Sequence, residues 1–177
     1  RIRNRSDQRI GVVIAVDGRN ILNGKFSELG PDEPMYVLGP HERAEYDGWR
    51  TARDRVHRFY FTDAGDSYAA AWGDHSAMGV ISVAVYRERE AEAGIYMPRR
   101  KHRAEGAGTG FGDEAWSPSR GVDFAPRRHA SAEYFLKYEW PRTLCRLGVS
   151  DDCRSRRNRF WPGGEGYAAY PPGFFRH

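Results

Sequence analysis

The sequence predicts an all-β fold: an antiparallel β-sandwich with one short helix and a long irregular insertion. Three observations carry that prediction. Apolar residues recur at every second position in several short runs, turn dipeptides such as Asp17-Gly18 and Asn23-Gly24 separate the runs, and no long amphipathic stretch is present to serve as a helical crossover.

Ile10, Val12, Ile14 and Val16 alternate with Arg9, Gly11, Ala15 and Asp17, the period of a half-buried strand. The run ends at Asp17-Gly18, and Asn23-Gly24 follows soon after. Both dipeptides tolerate the positive φ values that tight hairpin turns require, so a short meander is expected. Met35 to Leu38 is a brief apolar run stopped by Gly39-Pro40, and Glu42 to Trp49 alternates charged with apolar or aromatic residues. Two more strands are expected there. Arg55 to Thr62 places Phe59 and Phe61 on one face and Arg58, Tyr60 and Thr62 on the other. Met78 to Tyr86 is apolar on both faces, with Ile81, Val83 and Val85 against Val80, Ser82, Ala84 and Tyr86, as a central strand should be. Between these two, Asp66-Ser67 caps an expected short helix, Tyr68 to Trp72, that stops at Gly73.

From 87 to 130 charge, Gly and Pro dominate, including the alternating glycines from Gly106 to Gly112, and a long loop is expected. Those glycines lack both the dinucleotide fingerprint and the Lys-Ser/Thr ending of a phosphate-binding loop. Alternation returns at Ala132 to Trp140, read as a strand rejoining the sheet, and 141–177 reads as an extended tail packed by aromatics. The expected organisation is a single domain over 1–177: a β core of 9–86 completed by 132–140, a loop at 87–130 and a tail.

A chain of 177 residues with 40% hydrophobic and 14% aromatic content can bury a real core, which excludes a disordered protein. No apolar run approaches the roughly 20 residues needed for a transmembrane helix. The net charge of +4 comes with basic clusters at Arg99 to Arg103, Arg127 to His129 and Arg154 to Arg157. Such clusters attract anionic polymers, although solvated loop charge is the commoner role. Cys145 and Cys153 are the two cysteines, a disulfide candidate that suits an oxidising compartment and lacks companions at zinc-site spacing.

The residues with potential for binding or chemistry gather around two turns. The first is Asp17-Gly18-Arg19-Asn20. The second holds Asp63, Asp66, Trp72, Asp74 and His75. Gly65-Asp66-Ser67 after an apolar strand resembles the nucleophile block of the GDS-type esterases. Their late Asp-x-x-His is missing, and Asp54 to His57, the one such spacing, precedes Ser67. The carboxylates around His75 have the chemistry for a hard cation but not the spacing of an EF-hand loop, so turn-capping is the preferred role and neither metal nor cofactor is expected.

The segments 11–20, 48–51, 58–63, 66–69 and 135–140 together resemble an uncharacterised bacterial cell-envelope β-protein family. The resemblance implies an extracytoplasmic protein, secreted or periplasmic, and supplies no catalytic residue. Combined with the surplus of aromatics, the expected function is a non-enzymatic binding module for an envelope protein or anionic polymer, with Asp17, Arg19, Asn20, Asp63, Asp66, Trp72 and His75 as its candidate binding residues. A hydrolase or carbohydrate-acting enzyme using the loop Asp and His residues is the alternative. Nucleic-acid binding through the basic loops is a less favoured third reading, because the sheet motifs of RNA binders are missing.

Overall fold

In the computed structural model, residues 1–89 and 109–149 are described. The chain divides after Tyr138 into two compact units, Arg1–Tyr138 and Glu139–His177, where one continuous domain was expected. The first unit is all-β. Its strands are β1 (Ile2–Arg3), β2 (Ile10–Val16), β3 (Arg19–Asn20), β4 (Tyr36–Leu38), β5 (Arg43–Ala44), β6 (Gly48–Arg50), β7 (Arg55–Phe61), β8 (Val80–Arg87), β9 (Thr109–Trp116) and β10 (Ala132–Lys137). All their pairings are antiparallel. A five-stranded sheet runs β10-β8-β2-β3 with β4 also on β2, a three-stranded sheet runs β6-β7-β9, and β1 pairs with β5.

The two larger sheets enclose the main core. Ile10, Val12, Ile14 and Val16 point from β2 toward Trp49, with Ile21 and Leu38 beside them and Phe59, Tyr68, Ile81, Val83 and Val85 packed around the cluster. Each aliphatic side chain so buried contributes about 1.5–3 kcal/mol. The other face of β2 was expected to be wet and is not. Val13 and Ala15 form a second cluster with Leu29, Ala84 and Tyr86, covered by Met35 and Phe124. The sequence reason is that Gly11, Val13 and Ala15 carry no charge, so the run is apolar on both sides, as in any central strand.

The hairpin at Asp17-Gly18 forms as its sequence demands. Both residues have positive φ, 52° and 78°, and β2 and β3 pair directly across them, Val16 opposite Arg19. That is the geometry of a two-residue turn whose twist matches its strands.

Several expectations change. Glu42 to Trp49 is not one strand but β5 and β6, which belong to different sheets. Tyr68 to Trp72 is not an α-helix: the region holds two 3-10 turns, Ala64–Asp66 and Ala70–Trp72, the second ending at Gly73 with φ 63°. A segment so short cannot repay α-helix nucleation. The expected loop at 87–130 contains β9, an eight-residue strand. Its Gly110 and Gly112 are tolerated because the Tyr60 ring lies over them, where an added Cβ at Gly110 would come within 2.2 Å of that ring. The expected strand 132–140 ends at Lys137. In the second unit, Pro141–Arg146 is a short α-helix, α1, where an extended tail was expected, with Pro at its start, where a missing N–H costs nothing. The proposed Cys145 and Cys153 pairing falls partly outside the described residues, as do the basic clusters at 99–103 and 154–157.

Candidate functional site

The seven candidate residues separate into three groups, and the grouping follows from burial. Asp17 and Asn20 are buried and fully engaged. Asp17 Oδ1 accepts the Gly79 N–H at 2.8 Å and the Tyr138 hydroxyl at 2.6 Å. Its Oδ2 accepts the Thr109 N–H. One carboxylate thereby ties the first hairpin to the entry of β8, the start of β9 and the end of β10. Burial pushes its pKa above the ordinary 3.8, and the hydrogen bonds from Tyr138, Thr109 and Gly79 only partly oppose that. Asn20 locks the following loop: its amide donates to Glu33 Oε2 and the Pro34 carbonyl at 3.1 and 2.9 Å, and its Oδ1 accepts the Leu22 N–H. These two residues are therefore latches of the fold, not solvent-facing contacts.

Asp63 and Asp66 form the second group. Both are exposed around the first 3-10 turn, and Asp63 makes no side-chain cap there. Ser67 is buried; its Oγ donates to the Ala64 carbonyl at 2.9 Å and accepts the Ala70 N–H at 3.1 Å. It is the turn cap, which removes the esterase resemblance: a nucleophile must be reachable. His75 is half-buried, whereas Asp66 is exposed. Among the described residues, no three His, Cys, Asp or Glu side chains converge to hold a metal ion.

Arg19 and Trp72 make the third group and come together with Asp74, which the sequence sets beside Trp72 and His75 around the second turn. Arg19 Nε lies 3.2 Å from Asp74 Oδ2, and that carboxylate is fully buried. Neither atom makes an aligned hydrogen bond, so the contact is a charge pair by proximity. Asp74 Oδ1 is held by the Ser76 hydroxyl at 2.9 Å, while Arg19 Nη1 donates to the Gly24 carbonyl at 3.0 Å. The guanidinium sits 5.9 Å from the centre of the Trp72 ring, within reach of a cation–π attraction. Trp72 is nevertheless 58% exposed.

Trp72 also stands at one end of a file of rings that the sequence did not reveal as a file. Buried Trp49 donates its indole N–H to the Gly110 carbonyl at 3.2 Å, and its ring lies 4.3 Å from Tyr68. Tyr68 meets Trp72 edge-on at 6.2 Å and stacks on Phe111 at 5.3 Å. Phe111 in turn stacks on His57 at 4.0 Å. Phe111 is 41% exposed. The pairing of β7 with β9 explains the placement: between His57 and Phe59 the register shifts, so Gly112 and Asp113 oppose the single residue Arg58. This β-bulge brings Phe111 over the His57 ring, and His57 Nδ1 hydrogen-bonds the Gly112 carbonyl at 2.8 Å. The sequence signal is Gly110-Phe111-Gly112, whose glycines favour a loop on local propensity alone.

A separate cleft of about 290 Å³ opens on the other side of the large sheet, between Ala15, Ser27, Leu29, Ser82 and Phe135, and none of the seven candidates lines it. No protein-family model, curated protein or solved structure matches this chain.

Proposed function

We propose that the protein is a non-enzymatic, extracytoplasmic binding module whose ligand is a saccharide polymer of the cell envelope, taken up where the ring file surfaces at Trp72 and Phe111. The observation that carries this reading is the emergence of core aromatics at the surface: Trp49 is 2% exposed, Phe111 41% and Trp72 58%, and Tyr68 connects all three. Exposed rings held rigid from below offer flat apolar area at little entropic cost, which suits the CH faces of sugar rings. The net charge of +4 favours an anionic chain. The extracytoplasmic setting rests on the sequence resemblance of the first half.

The test is retention on immobilised envelope polysaccharides, comparing the full chain with Trp72→Ala and Phe111→Ala. Retention of the parent with about a tenfold weakening in Trp72→Ala, equivalent to about 1.4 kcal/mol, supports the reading. If no saccharide is retained, or if both variants bind like the parent, the reading fails. Retention of single-stranded nucleic acid in place of saccharide, weakening steeply with salt, points instead to the third reading given by the sequence.

A further inference from the structure

Strand β10 closes one side of the five-stranded sheet, and among the described residues β8 is its only paired neighbour. It carries three consecutive large apolar residues, Tyr134, Phe135 and Leu136, at 57%, 63% and 55% exposure. Tyr134 and Leu136 lie opposite Val83 and Ile81 and extend the core face of the sheet, whereas Phe135 lies opposite Ser82 on the other face. An edge strand apolar on both faces is what natural sheets avoid unless something pairs with it.

The hydrogen-bond phase of the sheet states which backbone groups face outward. Tyr138 donates its N–H to the Gly79 carbonyl, and Asp17 donates to the Val80 carbonyl. With the registers of β8 against β2 and β10, both contacts give the same answer. Even-numbered residues of β10 turn their N–H and C=O groups toward β8; Glu133, Phe135 and Lys137 turn theirs toward the open edge. Any antiparallel partner must therefore pair through these three residues.

We infer that the partner is a second copy of this chain, joined β10 to β10 about a two-fold axis at Phe135 to give one continuous ten-stranded sheet. In that register Phe135 meets its own counterpart, Glu133 meets Lys137 twice, and Tyr134 packs across from Leu136. Shifting the axis to Tyr134 sets Glu133 against Phe135, shifting it to Leu136 sets Phe135 against Lys137, and shifting it to Glu133 sets carboxylate against carboxylate. Only the axis at Phe135 satisfies charge and apolar area together, and a two-fold interface needs this self-complementarity. Lys137 Nζ donates to the Met78 carbonyl at 2.9 Å, and an ammonium with three donors retains that bond while meeting a carboxylate.

The experiment is the solution mass of the full chain by light scattering and sedimentation over a concentration series. The parent is expected to approach twice the 20.2 kDa of one chain. Glu133→Lys and Lys137→Glu each place like charges at both contacts and are expected to be monomeric alone. Mixed in equal amounts they restore both pairs, so the mixture is expected to regain the doubled mass. Phe135→Pro removes an outward-facing N–H that β8 does not use, and it too should be monomeric with an unchanged far-ultraviolet spectrum. A parent that stays monomeric at every concentration overturns the inference. So does a mixture that fails to associate while both variants are folded, or a Phe135→Pro protein that remains dimeric.

Discussion

Replacing Asp17 by Ala strands two buried donors, the Gly79 and Thr109 N–H groups, and takes one acceptor from the half-buried Tyr138 hydroxyl, which keeps its contact with Thr109 Oγ1 at 2.6 Å. An unsatisfied buried donor costs about 1–3 kcal/mol, and Ala at a φ of 52° adds about 1 kcal/mol of backbone strain that Asp tolerates better. Removing a carboxylate that burial disfavours offsets part of this, so the expected net loss is about 3–5 kcal/mol, a large share of the roughly 5–15 kcal/mol that holds a domain together. Asp17→Asn keeps the turn and one acceptor and should lose about 2 kcal/mol by the same reasoning. The two variants also separate the charge from the hydrogen bonds. Because burial raises the Asp17 pKa above 3.8, the folded state holds the proton more tightly than the unfolded chain. The stabilisation linked to that proton is complete below pH 3.8 and is lost as pH rises through the raised folded value. Asn carries no such proton. Urea unfolding of the parent and Asp17→Asn across that range should therefore show the difference between them shrinking as pH rises. A difference that is flat or grows with pH, or an Asp17→Ala loss under about 1 kcal/mol, would refute the latch.

Three further outcomes follow from packing and charge. Gly48→Ala should lose about 1–3 kcal/mol, because its Cβ would come within 2.4 Å of the His57 carbonyl, which belongs to the neighbouring backbone. Gly110→Ala should cost less, since the atoms in its way are the end of the exposed Tyr60 ring; thermal melts of the pair decide the order. Arg19→Ala leaves Asp74 buried beside no cation, and a loss of about 3 kcal/mol is expected. Asp74→Asn on the same background should recover part of it in chemical denaturation. A fragment cut after Tyr86 forfeits β9 and β10 and leaves Asp17 without Thr109 and Tyr138. It should show no cooperative unfolding, and a cooperative, soluble 1–86 fragment contradicts the discontinuous core.

The strands most legible in the sequence were those whose alternation is unbroken and whose ends carry turn residues. β2, β7 and β8 all met this condition, and Asp17-Gly18 located the first hairpin to the residue. β9 was illegible because local propensity and tertiary context disagree: Gly110 and Gly112 weaken a strand on their own, and the ring that compensates them, Tyr60, sits fifty residues earlier in the chain. The candidate residues divide by burial, which the sequence does not show. Asp17 and Asn20 were singled out as polar residues in a turn, which describes a ligand contact and a buried latch equally well, and sequence does not report burial. The sequence sets Arg19 in the first turn and Trp72 with Asp74 around the second; that the two turns meet is not legible there, because the pairing of Arg19 with Asp74 spans 55 positions.

The residues that close the second sheet are also the residues that build the ring file. Phe111 reaches His57 only because β9 bulges at Gly112, and Trp49 anchors Tyr68 only while its indole is tied to the Gly110 carbonyl. Substitutions at Trp49, Tyr68, Gly110 or Gly112 would therefore disturb stability and surface together, and a loss of binding in any of them would not separate ligand contact from misfolding. Trp72 differs. It lies in a 3-10 turn, touches the file through Tyr68 alone and leaves more than half its surface in solvent. Its ring is the one point on the file where side chain and scaffold come apart, which is why the binding hypothesis stands or falls on Trp72→Ala, read beside a thermal melt that should hardly move.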